Sequence, residues 1–342
     1  MADDERMDDA HPADAPLEVD FDDADSAVDC DDEVTLDSSV RSSVYAFVEE
    51  NGRRYHRYKE GRYFFPNDET EQERLDLQHQ LFLLTFGGRL TLTPTDNSND
   101  HPVHNVLDIG TGTGIWAIDF AVRNPAAHVT GTDLSPIQPS FVPPNCDFEV
   151  DDAEDPWVWG PGDGGRGRRF DLIHGRALAA CFRDPDFVVT SAARALAPGG
   201  WLEFQDILIP LRCLDAGWDG SSVQRWGELM TGCARRAGRD PGYSQRYPDM
   251  FRRAGLVDVQ ERRFSWPSNA WARGAHNKRV AEWFRRDLSD GLEGLSLRLL
   301  MGVGGMERGE VEVLLEGVRR DLADPNLHCY MPVVVCMGRK PL

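Results

Sequence analysis

The chain has 342 residues and a formal net charge of −21 at pH 7, a length that suits one large domain or two small ones. Most of the acid excess lies in residues 1–37, which contain sixteen acids and a single base, Arg6. The remaining chain carries a net charge of only −6. That balance argues against a general nucleic-acid binder, which needs a basic face.

The N-terminal 37 residues have too little apolar surface to offset the entropic cost of ordering, so we predict a disordered acidic tail there. So acidic a start does not suit a secretory signal, and no apolar run approaches the roughly 20 residues that cross a bilayer. The seven cysteines are scattered, without a Cys-x-x-Cys pair, and predict neither a disulfide framework nor a metal site. We expect a cytoplasmic protein without membrane contact, and a nuclear location stays open.

Residues 38–100 are predicted to form a helical segment ahead of the main domain. Ser38–Phe47 has a helical pattern, and a second helix is expected over 68–86, where Asn67 or Asp68 supplies an N-cap. The turn-rich stretch "TPTDNSNDHP", residues 93–102, predicts a linker before a domain over 101–342.

From residue 103 onward, short apolar runs alternate with helical patterns. Strands are expected over 104–109, 127–132, 147–150, 170–174 and 200–206, with helices over 113–123 and 185–197. Such alternation predicts an α/β fold with a parallel sheet, because parallel neighbours need long crossover connections.

The pattern changes beyond residue 207. Helices are expected over 221–238, 244–254, 270–288, 291–302 and 308–323, and strands over 257–264 and 331–338. We interpret the two helical regions, about 207–256 and 267–325, as insertions on the side where a second substrate would bind.

The stretch "NVLDIGTGTGIWAIDFA", residues 105–121, joins a strand to a helix through three alternate glycines. Glycines remove side chains, and a helix start offers unpaired N–H groups, so the turn suits close approach of a ligand. The dinucleotide fingerprint is Gly-x-Gly-x-x-Gly, whereas this turn is Gly-x-Gly-x-Gly and follows Asp108. A carboxylate there suits an ammonium group better than a diphosphate, which leaves an NAD(P)-dependent oxidoreductase as a remote alternative.

S-adenosylmethionine has such an ammonium end, and three later stretches lie where that ligand would need them. "VTGTDLS" ends a strand with Asp133 and Leu134, placed for the ribose hydroxyls. "FEVDDAEDPW" offers Asp152 and Ala153 for the adenine, with Asp151 and Glu154 as competing acceptors. "FDLIHGRAL" puts His174 where a methyl acceptor would lie.

These stretches, together with "ENGRRYHRYKEGRYFFPNDETEQERLDL" and "LAPGGWLEFQD", resemble class I S-adenosylmethionine-dependent methyltransferases, and within them the LaeA-like fungal family. The resemblance implies a Rossmann-like, seven-stranded, mostly parallel sheet whose last strand is antiparallel, with a helical cap. It implies that the following residues contact the cofactor: Asp108, Gly110, Thr111, Gly112, Gly114, Asp133, Leu134, Asp152, Ala153 and Tyr63. That family includes natural-product tailoring enzymes and regulators of secondary metabolism.

Methyl transfer from a sulfonium is a direct displacement, so alignment and exclusion of water matter most. His174 is the candidate general base if the acceptor must lose a proton. Tyr55, Tyr58 and Tyr63 lie on a segment that could fold across the cofactor. Five later aromatic residues could be core or an acceptor wall: Phe264, Trp266, Trp271, Trp283 and Phe284.

We therefore expect an enzyme that methylates a small secondary metabolite. The alternative is a nuclear regulator that acts through protein partners. Direct nucleic-acid binding is not expected in either case.

Overall fold

The first described residues form a β-hairpin in the computed structural model, which describes residues 47–59, 63–94, 103–159, 167–215 and 218–342. Strands β1 (Phe47–Glu50) and β2 (Arg53–His56) pair antiparallel. Asn51 and Gly52 join them, with φ of 54° and 77°. Asn-Gly is a strong hairpin signal because both residues tolerate positive φ. The helix predicted to reach Phe47 is wrong at that residue, and its earlier part lies outside the described residues.

Helix α1 (Glu69–Thr85) occupies the predicted range. Asp68 caps it by accepting a hydrogen bond from the Glu71 N–H at 3.1 Å. The same carboxylate accepts two bonds from the Arg53 guanidinium, at 2.6 and 2.8 Å. One aspartate therefore starts the helix and ties the hairpin to it.

The central sheet has eight strands: β3 (Asn105–Ile109), β4 (His128–Asp133), β5 (Cys146–Val150), β6 (Phe170–Arg176), β7 (Leu196–Ile207), β8 (Arg212–Cys213), β9 (Val257–Pro267) and β10 (Cys329–Arg339). Strands β5, β4, β3, β6 and β7 lie side by side and pair parallel. Strand β10 pairs antiparallel with β7, β8 and β9. The predicted α/β class and antiparallel last strand are confirmed, and the two-residue β8 adds one strand to the expected seven.

Six further helices are α2 (Ile115–Arg123), α3 (Pro185–Ala195), α4 (Ser222–Arg236), α5 (Tyr247–Arg253), α6 (Ala275–Leu297) and α7 (Arg308–Ala323). Helix α6 is continuous and runs into a π-helical turn, Arg298–Val303, where two helices were predicted over 270–288 and 291–302. Two glycines lie in this part of α6, next to the predicted break. A Cβ on Gly291 would lie 2.6 Å from the Arg74 Cδ, and one on Gly294 would lie 2.7 Å from an Arg53 nitrogen. These glycines admit the N-terminal segment closely instead of ending the helix.

Apolar cores cover both faces of the sheet. Val106 belongs to the core that includes α1, α2, α4, α6 and α7, whereas its neighbour Leu107 belongs to the core with α3 and α5. Adjacent residues of a strand point to opposite faces, so an apolar run is what a doubly covered parallel strand requires.

Glu203 fastens the chain that follows α1 onto β7. Its carboxylate is fully buried and accepts hydrogen bonds from the Leu92 N–H (2.8 Å), the Thr93 N–H (2.9 Å) and the Thr91 hydroxyl (2.8 Å). A buried carboxylate is tolerable only when such donors satisfy it. Helix α1 is thus anchored at both ends, by Asp68 and by Glu203.

Candidate active site

The glycine-rich turn after β3 has the backbone that the sequence pattern requires. Gly110, Gly112 and Gly114 have φ of 65°, 59° and 82°. A Cβ on Gly114 would lie 2.4 Å from the Phe148 ring, and one on Gly110 would lie 2.9 Å from a Leu178 methyl. The protein's own side chains therefore leave no room for a Cβ at these two positions, whereas a Cβ on Gly112 would meet only a Leu75 methyl at 3.5 Å.

A cleft of about 920 Å³, including its open mouth, lies at the carboxyl ends of the parallel strands. This is within the range of small-molecule sites and at the edge where open α/β sheets bind ligands. The first cavity, as we call it, brings together seven predicted residues: Tyr63, Gly110, Gly112, Asp133, Leu134, Asp152 and Ala153.

Asp133 joins the glycine turn to the end of β4. Its carboxylate accepts hydrogen bonds from the Gly112 N–H at 2.9 Å and the Ser135 N–H at 2.8 Å. Burial raises the pKa of Asp133 from 3.8 to about 6. The carboxylate thus stiffens the turn while it lines the first cavity.

Asp152 lies 4 % exposed after β5 and is already engaged. It accepts hydrogen bonds from the Lys59 ammonium and the Glu154 N–H, both at 2.9 Å. Asp151 and Glu154 line the first cavity as well, so the choice among the three adenine acceptors stays open. Sequence reasoning missed Lys59, which bonds across 93 positions of the chain.

A smaller pocket of about 390 Å³ adjoins the first cavity and shares Gly110, Gly112 and Arg176 with it. Asp108, Thr111 and His174 line this pocket, which we call the deep end of the first cavity. The Asp108 carboxylate accepts hydrogen bonds from the Thr111 hydroxyl (2.6 Å) and the His174 Nδ1 (2.7 Å). The His174 ring is fully buried and stacks on Trp116, with ring centroids 3.7 Å apart. Its Nε2 has no hydrogen-bond partner among the described residues.

His174 was expected at the mouth of the site, and the structure places it in the interior beside Asp108. From there it orients the Asp108 carboxylate. Its role as a general base stays a prediction.

Helix α1 also covers this deep end, which the sequence did not reveal. Leu75 and Gln78 of α1 face it, together with Arg176 at the end of β6. The Arg176 guanidinium donates to the His79 Nδ1 at 3.0 Å and lies over the Phe82 ring, 5.0 Å from its centroid. Burial lowers the pKa of Arg176 to about 10, so the guanidinium stays charged at neutral pH. Its place at the carboxyl end of a parallel strand was the available signal.

A second cavity, of about 910 Å³, adjoins the first. Tyr63, Leu75 and Ala177 line both. Its other walls are mostly apolar: Phe65, Ala179, Ile207, Ile209, Pro210, Leu211, Trp226, Gly227, Met230, Trp266, Phe284, Leu288, Leu295 and Met331. One corner is polar, where Arg74 pairs with Asp287 at 2.9 Å and Gln78 lies beside them.

The predicted aromatic residues separate into two groups. Trp266 and Phe284 line the second cavity, whereas Phe264 and Trp283 pack against the core and Trp271 donates to the Cys329 carbonyl. Among the tyrosines only Tyr63 lines a cavity. Tyr55 is fully buried under Arg298, and Tyr58 lies beside Lys59.

Residues 177–182 form the wall between the two cavities and contain two alanines at positive φ, Ala177 (54°) and Ala180 (64°). Asp206 holds this loop by accepting from the Ala179 N–H at 3.1 Å and the Tyr247 hydroxyl at 2.7 Å. Burial raises the pKa of Asp206 from 3.8 to about 7. The fold sustains a strained loop at this boundary because buried hydrogen bonds fix it.

Metal binding and membrane crossing concern only the residues that the structure describes. No group of three or more His, Cys, Asp or Glu in that part of the chain is arranged to hold a metal ion. None of its helices combines the length and apolarity that crossing a bilayer would require.

Comparison with known proteins decides the family. A family model described as a methyltransferase domain matches residues 64–261, more than half of the chain. The secondary metabolism regulator LAE1 of Cochliobolus heterostrophus is 35% identical over 296 residues, which cover 85% of this chain and 94% of that protein. The chain is a LaeA-like class I methyltransferase.

Two other relatives of this methyltransferase bear different names. Methyltransferase pytC of Aspergillus terreus is 34% identical over 328 residues, covering 95% of this chain and 96% of its own length. The protein-methionine methyltransferase laeA of Emericella nidulans is 33% identical over 309 residues, covering 89% and 79%. The cofactor is S-adenosylmethionine, as predicted. Membership of a methyltransferase family does not support the alternative of an NAD(P)-dependent oxidoreductase. Family membership does not identify the acceptor, since the relatives' names differ.

Proposed function

We propose that this methyltransferase binds S-adenosylmethionine in the first cavity and a small, largely apolar acceptor in the second. The observation that carries the proposal is the junction of the two cavities at Tyr63, Leu75 and Ala177. Displacement requires the nucleophile and the methyl group to meet in line, and a shared wall is where two bound molecules can do so.

The walls of the second cavity support an apolar acceptor. Trp226, Trp266 and Phe284 are almost fully buried and present broad apolar faces. An aromatic or polyketide-derived molecule would displace water from these surfaces and gain about 25 cal/mol for each Å² of apolar area it buries. The Arg74–Asp287 corner provides polar groups that can orient one end of it.

The first cavity fits the cofactor by its shape and its donor set. The glycine turn has open space at Gly112, where an added Cβ would meet only a Leu75 methyl at 3.5 Å, and the His174 Nε2, without a partner among the described residues, lies at the deep end. We assign the ammonium group to Asp108, the ribose hydroxyls to Asp133, and the adenine to the region of Asp152 and Ala153. Thr111, Gly114 and Leu134 keep these groups in place.

When bound, S-adenosylmethionine supplies a methyl group on a positively charged sulfur. The chain's contribution is to hold both molecules in line and to exclude water. Tyr63 belongs to both cavities and is half-buried, and desolvation of its hydroxyl raises the pKa of that group well above 10 and keeps it neutral. His174 remains the general base predicted from the sequence, but it lines the end of the first cavity assigned to the cofactor's ammonium group and not the second cavity.

Cofactor binding tests the first half of the proposal. S-adenosylmethionine or its demethylated product should raise the melting temperature of the wild-type protein, and Asp108→Ala should abolish that shift. Stabilisation by a nicotinamide dinucleotide instead would contradict the assignment of the first cavity.

Gene deletion tests the second half. Loss of one compound, with accumulation of a precursor lighter by one CH₂ group, would support the small-molecule enzyme. The name of LAE1, secondary metabolism regulator, favours a second candidate, a regulator of secondary metabolism. As such a regulator, the protein would act in the nucleus through protein partners. Silencing of many biosynthetic clusters without such a precursor would support the regulator and contradict the enzyme.

A further inference from the structure

We infer that Arg176 binds the α-carboxylate of S-adenosylmethionine, so that Arg176 and Asp108 together recognise the zwitterionic amino-acid end of the cofactor. The inference rests on the cofactor assignment proposed for the first cavity. It adds a binding residue that the glycine motif does not contain.

The first observation is that Asp108 and Arg176 carry opposite charges but do not form an ion pair with each other. Asp108 and Arg176 line the same deep end of the cavity. In the part of the chain that the structure describes, no carboxylate lies within ion-pair distance of Arg176, and the Asp108 oxygens accept from Thr111 and His174 instead. Arg176 is half-buried, and a partly desolvated guanidinium without an anion would stabilise an incoming carboxylate.

The second observation is the way in which Arg176 is held. Its Nη2 donates to the His79 Nδ1, and the His79 Nε2 lies 2.9 Å from an Asp119 oxygen. Burial lowers the pKa of His79, which keeps the ring neutral and able to accept from Arg176. The Phe82 ring supports the guanidinium on one face. A guanidinium has five N–H donors, and this arrangement fixes the group while using one of them.

The ligand chemistry follows from this pair. An α-amino acid carries an ammonium and a carboxylate on one carbon, and a site with a carboxylate and a fixed guanidinium complements both. Asp76 and Asp119 add negative potential around Arg176, as does Asp108. That potential keeps the guanidinium charged without supplying it a direct ion-pair partner.

The test compares S-adenosylmethionine with decarboxylated S-adenosylmethionine, which keeps the sulfonium and the ammonium. Binding is measured by isothermal titration calorimetry on the full-length protein. We expect the wild type to bind the intact cofactor about ten- to a hundredfold more tightly, as for one charge-assisted hydrogen-bonded contact. Arg176→Met should lose that preference and leave the affinity for the decarboxylated ligand nearly unchanged.

Two further variants serve as controls for the loss of binding preference in Arg176→Met. Arg176→Lys keeps the charge and should retain part of the preference, which covers the case in which Arg176→Met fails to fold. Arg252→Met removes an exposed arginine that lies outside the cavity and pairs with Asp249, and it should behave as wild type. Equal preference in wild type and Arg176→Met, or no preference in wild type, would overturn the inference while leaving the cofactor site intact. Failure of the wild type to bind either ligand would overturn the proposed function itself.

Discussion

The two cavities differ in how the chain builds them. Most residues that line the first cavity lie between Ile109 and Phe182, and the others are Arg239 and a few residues of the N-terminal segment that include Tyr63. In this region each parallel strand places its ligand-facing side chain at its carboxyl end. The second cavity draws on residues from Tyr63 to Met331, brought together by α1, α4, α6 and the loop before β8.

This difference implies that the first cavity tolerates few substitutions, whereas the second can change shape with its side chains. The first cavity depends on backbone conformation, positive φ angles and buried hydrogen bonds, which few substitutions preserve. The second is an apolar container between packed helices, whose shape changes with any side chain of the wall. Substitutions in the first should therefore affect cofactor binding, and substitutions in the second should affect acceptor use alone.

The largest effect is expected for Gly112→Val. The residue has φ of 59° and lines the first cavity, so valine would be strained and would intrude on the cofactor. We expect loss of the cofactor-induced melting shift, measured by differential scanning fluorimetry. Gly255→Val is the matched control, with φ of 86° and open space around its Cβ. Both variants should lose stability through backbone strain, and a retained cofactor shift in Gly112→Val would contradict cofactor binding at the glycine turn.

Gly227→Leu should separate the two cavities. Gly227 lines the second cavity from α4, and its added side chain would occupy acceptor space at a packing cost of about 1–3 kcal/mol. Cofactor affinity should stay within about twofold of wild type. In the deletion strain, the Gly227→Leu gene should restore the missing metabolite to less than about a tenth of the level that the wild-type gene gives. Gly232→Leu on the same helix lies outside the cavity and should restore it fully. Equal restoration by both variants would show that acceptor binding lies elsewhere.

A smaller effect is expected from Asp206, which fixes the wall between the cavities. Its folded pKa is raised from 3.8 to about 7, so the folded state binds its proton more tightly than the unfolded state. The corresponding stability is fully present below about pH 4 and is lost as the pH rises through 7, on the order of 4 kcal/mol. The unfolding free energy of the wild type, relative to that of Asp206→Asn, should fall as the pH rises from about 4 to above 7, as measured by urea titrations. A difference independent of pH would contradict a buried, protonated Asp206.

The sequence predicted the first cavity well because its signals are local. A strand, three alternate glycines and an acid at the end of the next strand are adjacent in the chain, and parallel strands bring their carboxyl ends to one edge. Helix α1 was predicted to within one residue at each end from its cap. The Asn51–Gly52 hairpin was missed although its signal was equally local.

The second cavity could not be predicted, because its shape depends on how distant helices pack. Gly291 and Gly294 were placed inside a predicted helix, but nothing local in the sequence shows that they lie against Arg74 and Arg53, more than 200 positions earlier. The interior position of His174 was hidden for the same reason. Only the tertiary structure shows that Trp116 stacks on it and that α1 covers it.

The smallest effect is expected from removing residues 1–37. Among the residues that the structure describes, those that line the two cavities begin at Tyr63. Deletion should leave cofactor affinity and melting temperature close to those of the full chain, because a sequence with so little apolar surface contributes little packing energy. Calorimetry on both proteins checks this, and a control deletion to residue 62, which also removes the hairpin and Lys59, should weaken both quantities. A large loss from the shorter deletion would mean that the acidic segment docks on the methyltransferase, and the cavities would then have to be considered with it in place.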